Sequence, residues 1–213
     1  NGRPVQLGDY FAADRPVVLT LGYYECPRLC GLVFKETADA LRGLQGLTVG
    51  ADFTVLSVSI DPGETPAIAA AKKAAHVSQA GPAAAAAAAG WHFLTGQQAA
   101  IDRLADAVGF RYAYDPASDQ FAHPTGLIVL TPDGRIARYI FGIDYPPRDL
   151  RLALVDAAAG EIGSPADQLL LLCYRYDPQT GRYTPLIASA IRWAGLGTVL
   201  LLGLVLGRAW RRE

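Results

Sequence analysis

The amino-acid sequence predicts an α/β sandwich built around a central mixed sheet. Apolar runs alternate with amphipathic helical patterns along most of the chain. One predicted strand runs directly into a helix that starts with Cys26 and Cys30, and a hairpin comes late in the chain, at Pro132-Asp133-Gly134. Alternating strands and helices are typical of layered α/β domains. A cysteine pair at a strand-to-helix junction, followed by a late hairpin, indicates a thioredoxin-like arrangement.

The composition narrows the class of protein. The 213 residues leave room for one ordinary domain and an appendage. The net charge is −1 and no block of Lys or Arg interrupts the domain, so nucleic-acid binding is not expected. Three cysteines are too few for a disulfide scaffold.

The first half of the domain alternates strand and helix. Apolar runs predict strands at residues 15–24 and 53–60. Apolar residues at helical spacing predict a helix over 29–44. Another helix is expected to begin at Pro66, since proline is favoured at the first helical position, and to run to about His76.

The second half begins with an alanine-rich stretch at residues 79–90. Glycine and proline flank its row of alanines, so we expect a flexible insertion. Strands are then predicted at 91–94, 110–114, 125–131 and 136–140, helices at 97–108 and 147–159, and a polar loop at 115–122.

The C-terminal region predicts a membrane anchor. No charged residue occurs from Trp193 to Gly207. Extended back to Pro185, the stretch would span about 34 Å as a helix, which is enough for a bilayer. Three arginines follow it, and the positive-inside rule then places the tail in the cytoplasm and the domain on the periplasmic side. The alternative is a buried amphipathic helix, but the stretch has no polar face.

The sequence therefore divides into four parts. The thioredoxin-like domain is expected over residues 1–163 and a linker over 164–184. A single transmembrane helix is expected over 185–207, and a cytoplasmic tail over 208–213.

Cys26 and Cys30 carry the strongest chemical signal. They stand where a strand gives way to a helix, and the amide groups and dipole at a helix start stabilise a thiolate. Residues four apart share one face of a helix, so both sulfurs can point to one spot. The pair could close a disulfide or bind a soft metal. The alternative is that both are small residues of the core.

His123 is the candidate third ligand. It comes just before a predicted strand of the late hairpin, and in this fold that loop approaches the start of the cysteine helix. Two sulfurs and an imidazole suit Cu(I), or Cu(II) with a further ligand. Zinc would accept the same donors, usually with a fourth. We expect His92 to be structural or solvent-facing, and His76 to lie on an exposed helix end.

Several segments together resemble a known family. They are residues 23–30 (YYECPRLC), 58–66 (VSIDPGETP), 90–96 (GWHFLTG) and the histidine segment through Asp133-Gly134. Over nearly all of residues 1–160 the chain resembles the Sco/SenC proteins, which are thioredoxin-like copper chaperones of cytochrome c oxidase assembly.

This resemblance implies a function and a set of ligands. One copper ion, Cu(I) or Cu(II), would be bound by Cys26, Cys30 and His123. The copper would be delivered to a respiratory oxidase copper site, with a cytochrome c oxidase subunit or its assembly factors as partners. Asp61 matches an acidic family position near the metal loop, although a role in the loop and the helix entry explains it equally well.

The chain departs from the family pattern at two points. Many members carry an acidic residue just before the histidine, where this chain has Ala122. Many members also have an N-terminal anchor, whereas the anchor predicted here is C-terminal.

The alternative function is a thiol-disulfide oxidoreductase. In that case Cys26 and Cys30 would be a redox pair that keeps the copper-ligand cysteines of a client reduced. The third cysteine, Cys173, lies between the domain and the predicted membrane helix. It could engage a partner or the metal, but we interpret it as part of an apolar docking segment.

Overall fold

The computed structural model describes residues 2–11, 14–26 and 30–161, and the short pieces 176–177, 182–183, 195–196 and 198. For Cys30, and for the pieces at 176–177 and 182–183, it describes the backbone only. Cys173 and nearly all of the predicted linker, transmembrane helix and tail therefore lie outside the described residues. Within the described residues, no helix has both the length and the apolar character that a membrane span requires.

The elements follow the predicted alternation of strand and helix. The strands are β1 (Val17–Gly22), β2 (Thr54–Ser59), β3 (Trp91–Leu94), β4 (Ala113–Asp115), β5 (Gln120–Ala122), β6 (Gly126–Leu130), β7 (Ile136–Phe141), β8 (Tyr176–Asp177) and β9 (Arg182–Tyr183). The helices are α1 (Cys30–Gly43), α2 (Pro66–Val77), α3 (Ala84–Gly90), α4 (Gln98–Ala107) and α5 (Pro147–Ala158), with 3-10 turns at Leu7–Tyr10 and Ser78–Ala83.

Five of these strands form the predicted mixed sheet, in the order β3-β2-β1-β6-β7. β1, β2 and β3 are parallel to one another, whereas β6 is antiparallel to β1 and to β7. The carboxyl ends of β1 and β2 therefore share one edge of the sheet with the start of β6 and the end of β7. Both candidate ligand segments, which follow β1 and precede β6, meet this edge, and we call it the site edge.

The centre of the sheet is covered on both faces. Every residue of β1 and β2 is buried, which matches their nearly continuous apolar runs. The buried hydroxyl of Ser57 accepts a hydrogen bond from Trp91 Nε1 at 2.9 Å and another from Thr20 Oγ1 at 2.8 Å. These buried hydroxyl and indole groups at the centre of the sheet are thus paired within the core.

The prediction of a flexible insertion at residues 79–90 was wrong. The chain there continues as the 3-10 turn Ser78–Ala83 and then as α3. Gly81, inside the 3-10 segment, takes a φ of +59° and kinks the chain at that point. Ala87 and Gly90 are buried, so the strong helix propensity of alanine is supported by packing.

The region 110–122 also differs from its prediction. β4 and β5 form a hairpin of their own, outside the central sheet, so residues 120–122 belong to a strand rather than to a polar loop. The turn is closed by Asp115, whose carboxylate accepts hydrogen bonds from the Ala117 amide at 3.0 Å and the Ser118 hydroxyl at 2.7 Å. Strands of three residues carry too short an apolar pattern to be read from sequence.

Candidate metal centre

The predicted ligands come from two segments that meet at the site edge. Cys26 follows β1, is half-buried and packs against the core. Cys30 is the first residue of α1, at the positive end of the helix dipole. Residues 27–29 and the side chain of Cys30 lie outside the described part of the structure.

His123 lies in the loop between β5 and β6. Its ring centroid is 5.9 Å from that of Tyr23, and the two rings meet edge to face. Tyr23 is three residues before Cys26, so the histidine loop packs against the chain that leads into the cysteine pair. The ring of Phe110 also packs against the imidazole, at 5.9 Å between centroids.

A backbone carbonyl fixes the tautomer of His123. Nδ1 lies 2.8 Å from the carbonyl oxygen of Pro124, and because a carbonyl only accepts, Nδ1 must carry the proton. The neutral ring therefore has its lone pair on Nε2, the arrangement found for many metal-binding histidines. Burial lowers the pKa of His123, and the hydrogen bond to Pro124 only partly opposes this effect. The imidazole is thus neutral at pH 7, as a metal ligand must be.

Glu64 joins the cysteine segment to the loop after β2. Its Oε1 accepts a hydrogen bond from the amide of Glu25, next to Cys26, at 2.7 Å. Its Oε2 accepts one from the Ser59 hydroxyl at 2.5 Å, and the side chain is only 6% exposed. This residue was not predicted as part of the site, because nothing in the sequence pattern distinguishes a buried loop glutamate from a solvated one.

Asp61 has the local role that was left open for it. Its Oδ1 accepts a hydrogen bond from the Gly63 amide at 2.8 Å, which closes the turn before α2. Such turns within a loop are a common use of aspartate.

The other two histidines have packing contacts away from this loop. His92 is half-buried, and its ring lies 4.8 Å from that of Tyr10. His76 is only 8% exposed and packs against Phe34 at 5.5 Å, so the prediction of an exposed helix end was wrong for it. The 3-10 turn that follows α2 replaces the expected flexible insertion and covers this end of the helix.

No three His, Cys, Asp or Glu side chains gather as a metal site among the described residues, which do not include the side chain of Cys30. The full ligand set of Cys26, Cys30 and His123 therefore stays a prediction. The arrangement of the described atoms fits it: a neutral imidazole beside the segment that carries the first cysteine, and a helix start that carries the second.

Solved structures of other proteins share this fold. A candidate electron transfer protein from Aquifex aeolicus VF5 is 26% identical, with a TM-score of 0.61, over 74% of this chain and 85% of that chain. A SCO1/SenC family lipoprotein from Bacillus anthracis is 16% identical, with a TM-score of 0.58, over 74% and 88%. Copper-bound ScoI from Bradyrhizobium japonicum is 20% identical, with a TM-score of 0.51, over 68% and 84%. The thioredoxin-like fold is thereby confirmed.

A family comparison gives the identity of the domain. A search among curated proteins gave no significant match. The SCO1/SenC family model, in contrast, matches residues 1–156, which is most of the chain. The chain therefore belongs to the SCO1/SenC family.

Proposed function

We propose that this SCO1/SenC protein is a copper metallochaperone that delivers copper to a respiratory oxidase copper site. One copper ion is bound by Cys26, Cys30 and His123. The observation that carries the proposal is the position of His123, which packs beside the cysteine segment and has its lone pair on Nε2. Family membership and the copper seen in ScoI of Bradyrhizobium japonicum support it.

The donor set decides which metal is carried. Two thiolates and a neutral imidazole are soft to borderline ligands and favour Cu(I), while Cu(II) would take a further ligand. Copper is the cargo of the protein, so the ligands must hold it firmly and yet exchange with those of a client. The half-buried position of Cys26 suits this need, because a fully buried sulfur would be out of reach of an acceptor.

The cellular setting is also part of the proposal. A single transmembrane helix over residues 185–207 anchors the chain, with the domain on the periplasmic side and the tail in the cytoplasm. The partners are a cytochrome c oxidase subunit or its assembly factors. The charge-free run from Trp193 to Gly207 and the arginines after it support this topology.

Copper titration of the reduced, purified chain tests the proposal. We expect one Cu(I) per chain, held against a weak chelator, and loss of this binding in Cys26→Ser and in Cys30→Ser. Removing only an outer contact of a metal ligand costs about 10–100-fold in affinity, so His123→Gln should cost at least about tenfold. His92→Gln is the matched histidine control and should bind as the parent does. Unchanged binding in Cys26→Ser would refute the proposal.

The alternative function is a thiol-disulfide oxidoreductase, and a further measurement must distinguish it from a copper metallochaperone. A reductase needs the cysteine pair but no imidazole ligand. We expect His123→Gln to lose copper transfer while its dithiol still exchanges with a small disulfide at the rate of the parent. A His123→Gln variant that no longer transfers copper and yet supports assembly of the oxidase copper site as well as the parent would instead favour the redox role.

A further inference from the structure

Exposed apolar side chains border the candidate metal centre. Among the described residues seven large hydrophobic side chains are exposed, and three of them lie near the histidine loop: Tyr114 at 51%, Phe141 at 40% and Ile143 at 40%. We call these three the apolar rim. Their concentration at the site edge needs an explanation, because exposed apolar side chains that cluster mark contact surfaces.

Intermediate residues connect the apolar rim to the histidine loop. The amide of Gly142, which stands between Phe141 and Ile143, donates a hydrogen bond to the Thr125 carbonyl at 3.1 Å, two residues after the histidine. On the other side, the ring of Tyr114 lies 5.1 Å from that of Phe121. Phe121 in turn lies 5.4 Å from Tyr23, the same ring that contacts His123. Two separate sets of contacts thus connect the apolar rim to the loop that carries His123 and to Tyr23.

Carboxylates surround the apolar rim. The hydroxyl of Tyr114 donates to Asp119 at 2.7 Å; this bond, reinforced by burial and by the negative charges of Asp119, Asp61 and Asp115, raises the pKa of Tyr114. Asp144 follows Ile143 directly in the chain. We call Asp61, Asp115, Asp119 and Asp144 the acidic rim.

The acidic rim is not neutralised within the described part of the domain. The ion pairs among the described residues use other carboxylates, namely Glu36, Asp39, Asp106, Asp133 and Asp156. Carboxylates that have no ion pair among the described residues and lie beside an apolar surface favour a partner of the opposite charge and steer its approach.

We infer that the two rims form the docking surface for the copper acceptor, a protein segment that displays thiols next to an apolar side chain and several Lys or Arg residues. The inference rests on the proposed function and adds the chemistry of the partner. In the transfer, an acceptor thiol loses its proton to solvent and its sulfur bonds to copper. A Cys26 or Cys30 sulfur then leaves the metal and takes up a proton. A second acceptor thiol replaces the other sulfur in the same way, and the bond from His123 Nε2 breaks last, which leaves the imidazole neutral. Copper stays Cu(I) throughout, so no oxidant or reductant is needed.

Two synthetic acceptor peptides test the inference. Each carries two cysteines around one tryptophan, and the flanks hold four lysines in one peptide and four glutamates in the other. The full chain in detergent, loaded with Cu(I) under anaerobic conditions, is mixed with each peptide and the transfer rate is measured. We expect the lysine peptide to react about tenfold faster at low ionic strength, and salt near 0.5 M to remove most of this ratio by screening.

Paired variants separate the docking surface from the chemistry of the peptides. Asp61→Asn with Asp119→Asn removes two charges but keeps an oxygen for each hydrogen bond, and asparagine tolerates the φ of +55° at position 119. The control is Asp14→Asn with Asp52→Asn, at the opposite edge, where Asp14 has a φ of +51° and Asp52 accepts from the Thr48 amide. We expect the ratio of the transfer rates to the lysine and glutamate peptides to fall about threefold or more in the first double variant. In the control double variant this ratio should be unchanged.

The apolar rim has its own test. Ile143→Ser should raise the lysine-peptide concentration that gives half-maximal transfer rate, whereas Leu152→Ser, an equally exposed leucine on α5, should not. The inference would be overturned if both double variants gave the same ratio of lysine-peptide to glutamate-peptide transfer rates. It would also be overturned if Ile143→Ser and Leu152→Ser changed the half-maximal peptide concentration equally. A chain that binds one copper without any peptide preference defeats the inference alone, while a chain that binds no copper defeats the proposed function and the inference with it.

Discussion

Burial sets the protonation of the three histidines of this chain. It is the leading cause that lowers the pKa of His76, His92 and His123. Nearby lysines add to the effect, Lys72 at His76 and Lys73 at His92. A histidine whose pKa is lower in the folded than in the unfolded state binds fewer protons when folded, so acid favours unfolding.

We predict that the free energy of unfolding falls as the pH drops from about 6.5, the unfolded histidine value, towards the lower folded values. His76→Phe should reduce this loss, because His76 Nδ1 is buried without a hydrogen bond and phenylalanine can keep the contact with Phe34. Urea unfolding of the parent and of the variant at about pH 7.5, 6.5 and 5.5 measures how the free energy of unfolding of each protein changes with pH. An identical pH slope in the variant and the parent would contradict the prediction.

The roles of single residues could be predicted where they depend on local sequence, but not where they depend on contacts across the fold. Cys26 and Cys30 could be proposed as ligands because their spacing and their place before a helix are local features. Whether a side chain is buried depends on contacts across the fold, and so the burial of His76 and Glu64 was missed. His123 could be proposed only because the predicted topology brings its loop to the cysteine helix.

At the scale of elements, one buried carboxylate holds the cysteine segment in place. Glu64 bonds the amide before Cys26 and the hydroxyl of Ser59 at the end of β2. A charge-assisted pair of hydrogen bonds of this kind is short and strong, and it is costly to remove from one side only.

We predict that Glu64→Ala destabilises the domain by about 1–3 kcal/mol, because it leaves buried polar groups without partners. It should also weaken copper binding, since the segment that carries Cys26 loses its anchor. Glu64→Gln keeps an oxygen for the Glu25 amide and should cost less in both respects. Urea unfolding and copper titration of the two variants check this. A Glu64→Ala variant with the stability of the parent would contradict the stabilising role of the two Glu64 hydrogen bonds.

The packing of α3 gives a second prediction at this scale. A Cβ on Gly90 would lie 2.3 Å from the amide nitrogen of Gly50. This atom belongs to the backbone, which cannot move aside as easily as the end of a flexible side chain. Gly90→Ala should therefore destabilise the domain by about 1–3 kcal/mol. Gly31→Ala, inside α1 with open space around it, should instead stabilise it by about 0.5–1 kcal/mol. The Tm of thermal unfolding should therefore fall in Gly90→Ala and rise in Gly31→Ala. A shift of Tm in the same direction for both variants would contradict the packing argument.

Elements were predicted best where the local pattern was long. The strands β1 and β2 have continuous apolar runs and were placed to within two residues. The hairpin of β4 and β5 has strands of three residues, and α3 has only alanines before its final glycine. Neither has an apolar periodicity that shows which face is buried, so contacts with the rest of the fold decided their structure.

At the scale of the whole molecule, membrane attachment stays a prediction. We expect the full chain to sediment with membranes and to resist extraction by alkaline carbonate, because a spanning helix is inserted in hydrocarbon. Residues 1–161 should stay in the supernatant. A reporter fused after Glu213 that is active only in the cytoplasm checks the topology. Recovery of the full chain in the supernatant would contradict the predicted anchor.

The order of strands in the sheet has a consequence for how the protein is made. The cysteine pair follows β1, whereas His123 precedes β6, which pairs beside β1 but is synthesised nearly a hundred residues later. If the domain crosses a membrane N-terminus first, as the proposed topology requires, both proposed sulfur ligands are exposed well before the nitrogen ligand exists. During that interval the thiols can meet oxidants or foreign metals. Cells that make this protein should thus depend on a reducing thiol carrier on the receiving side, most of all when secretion is slow.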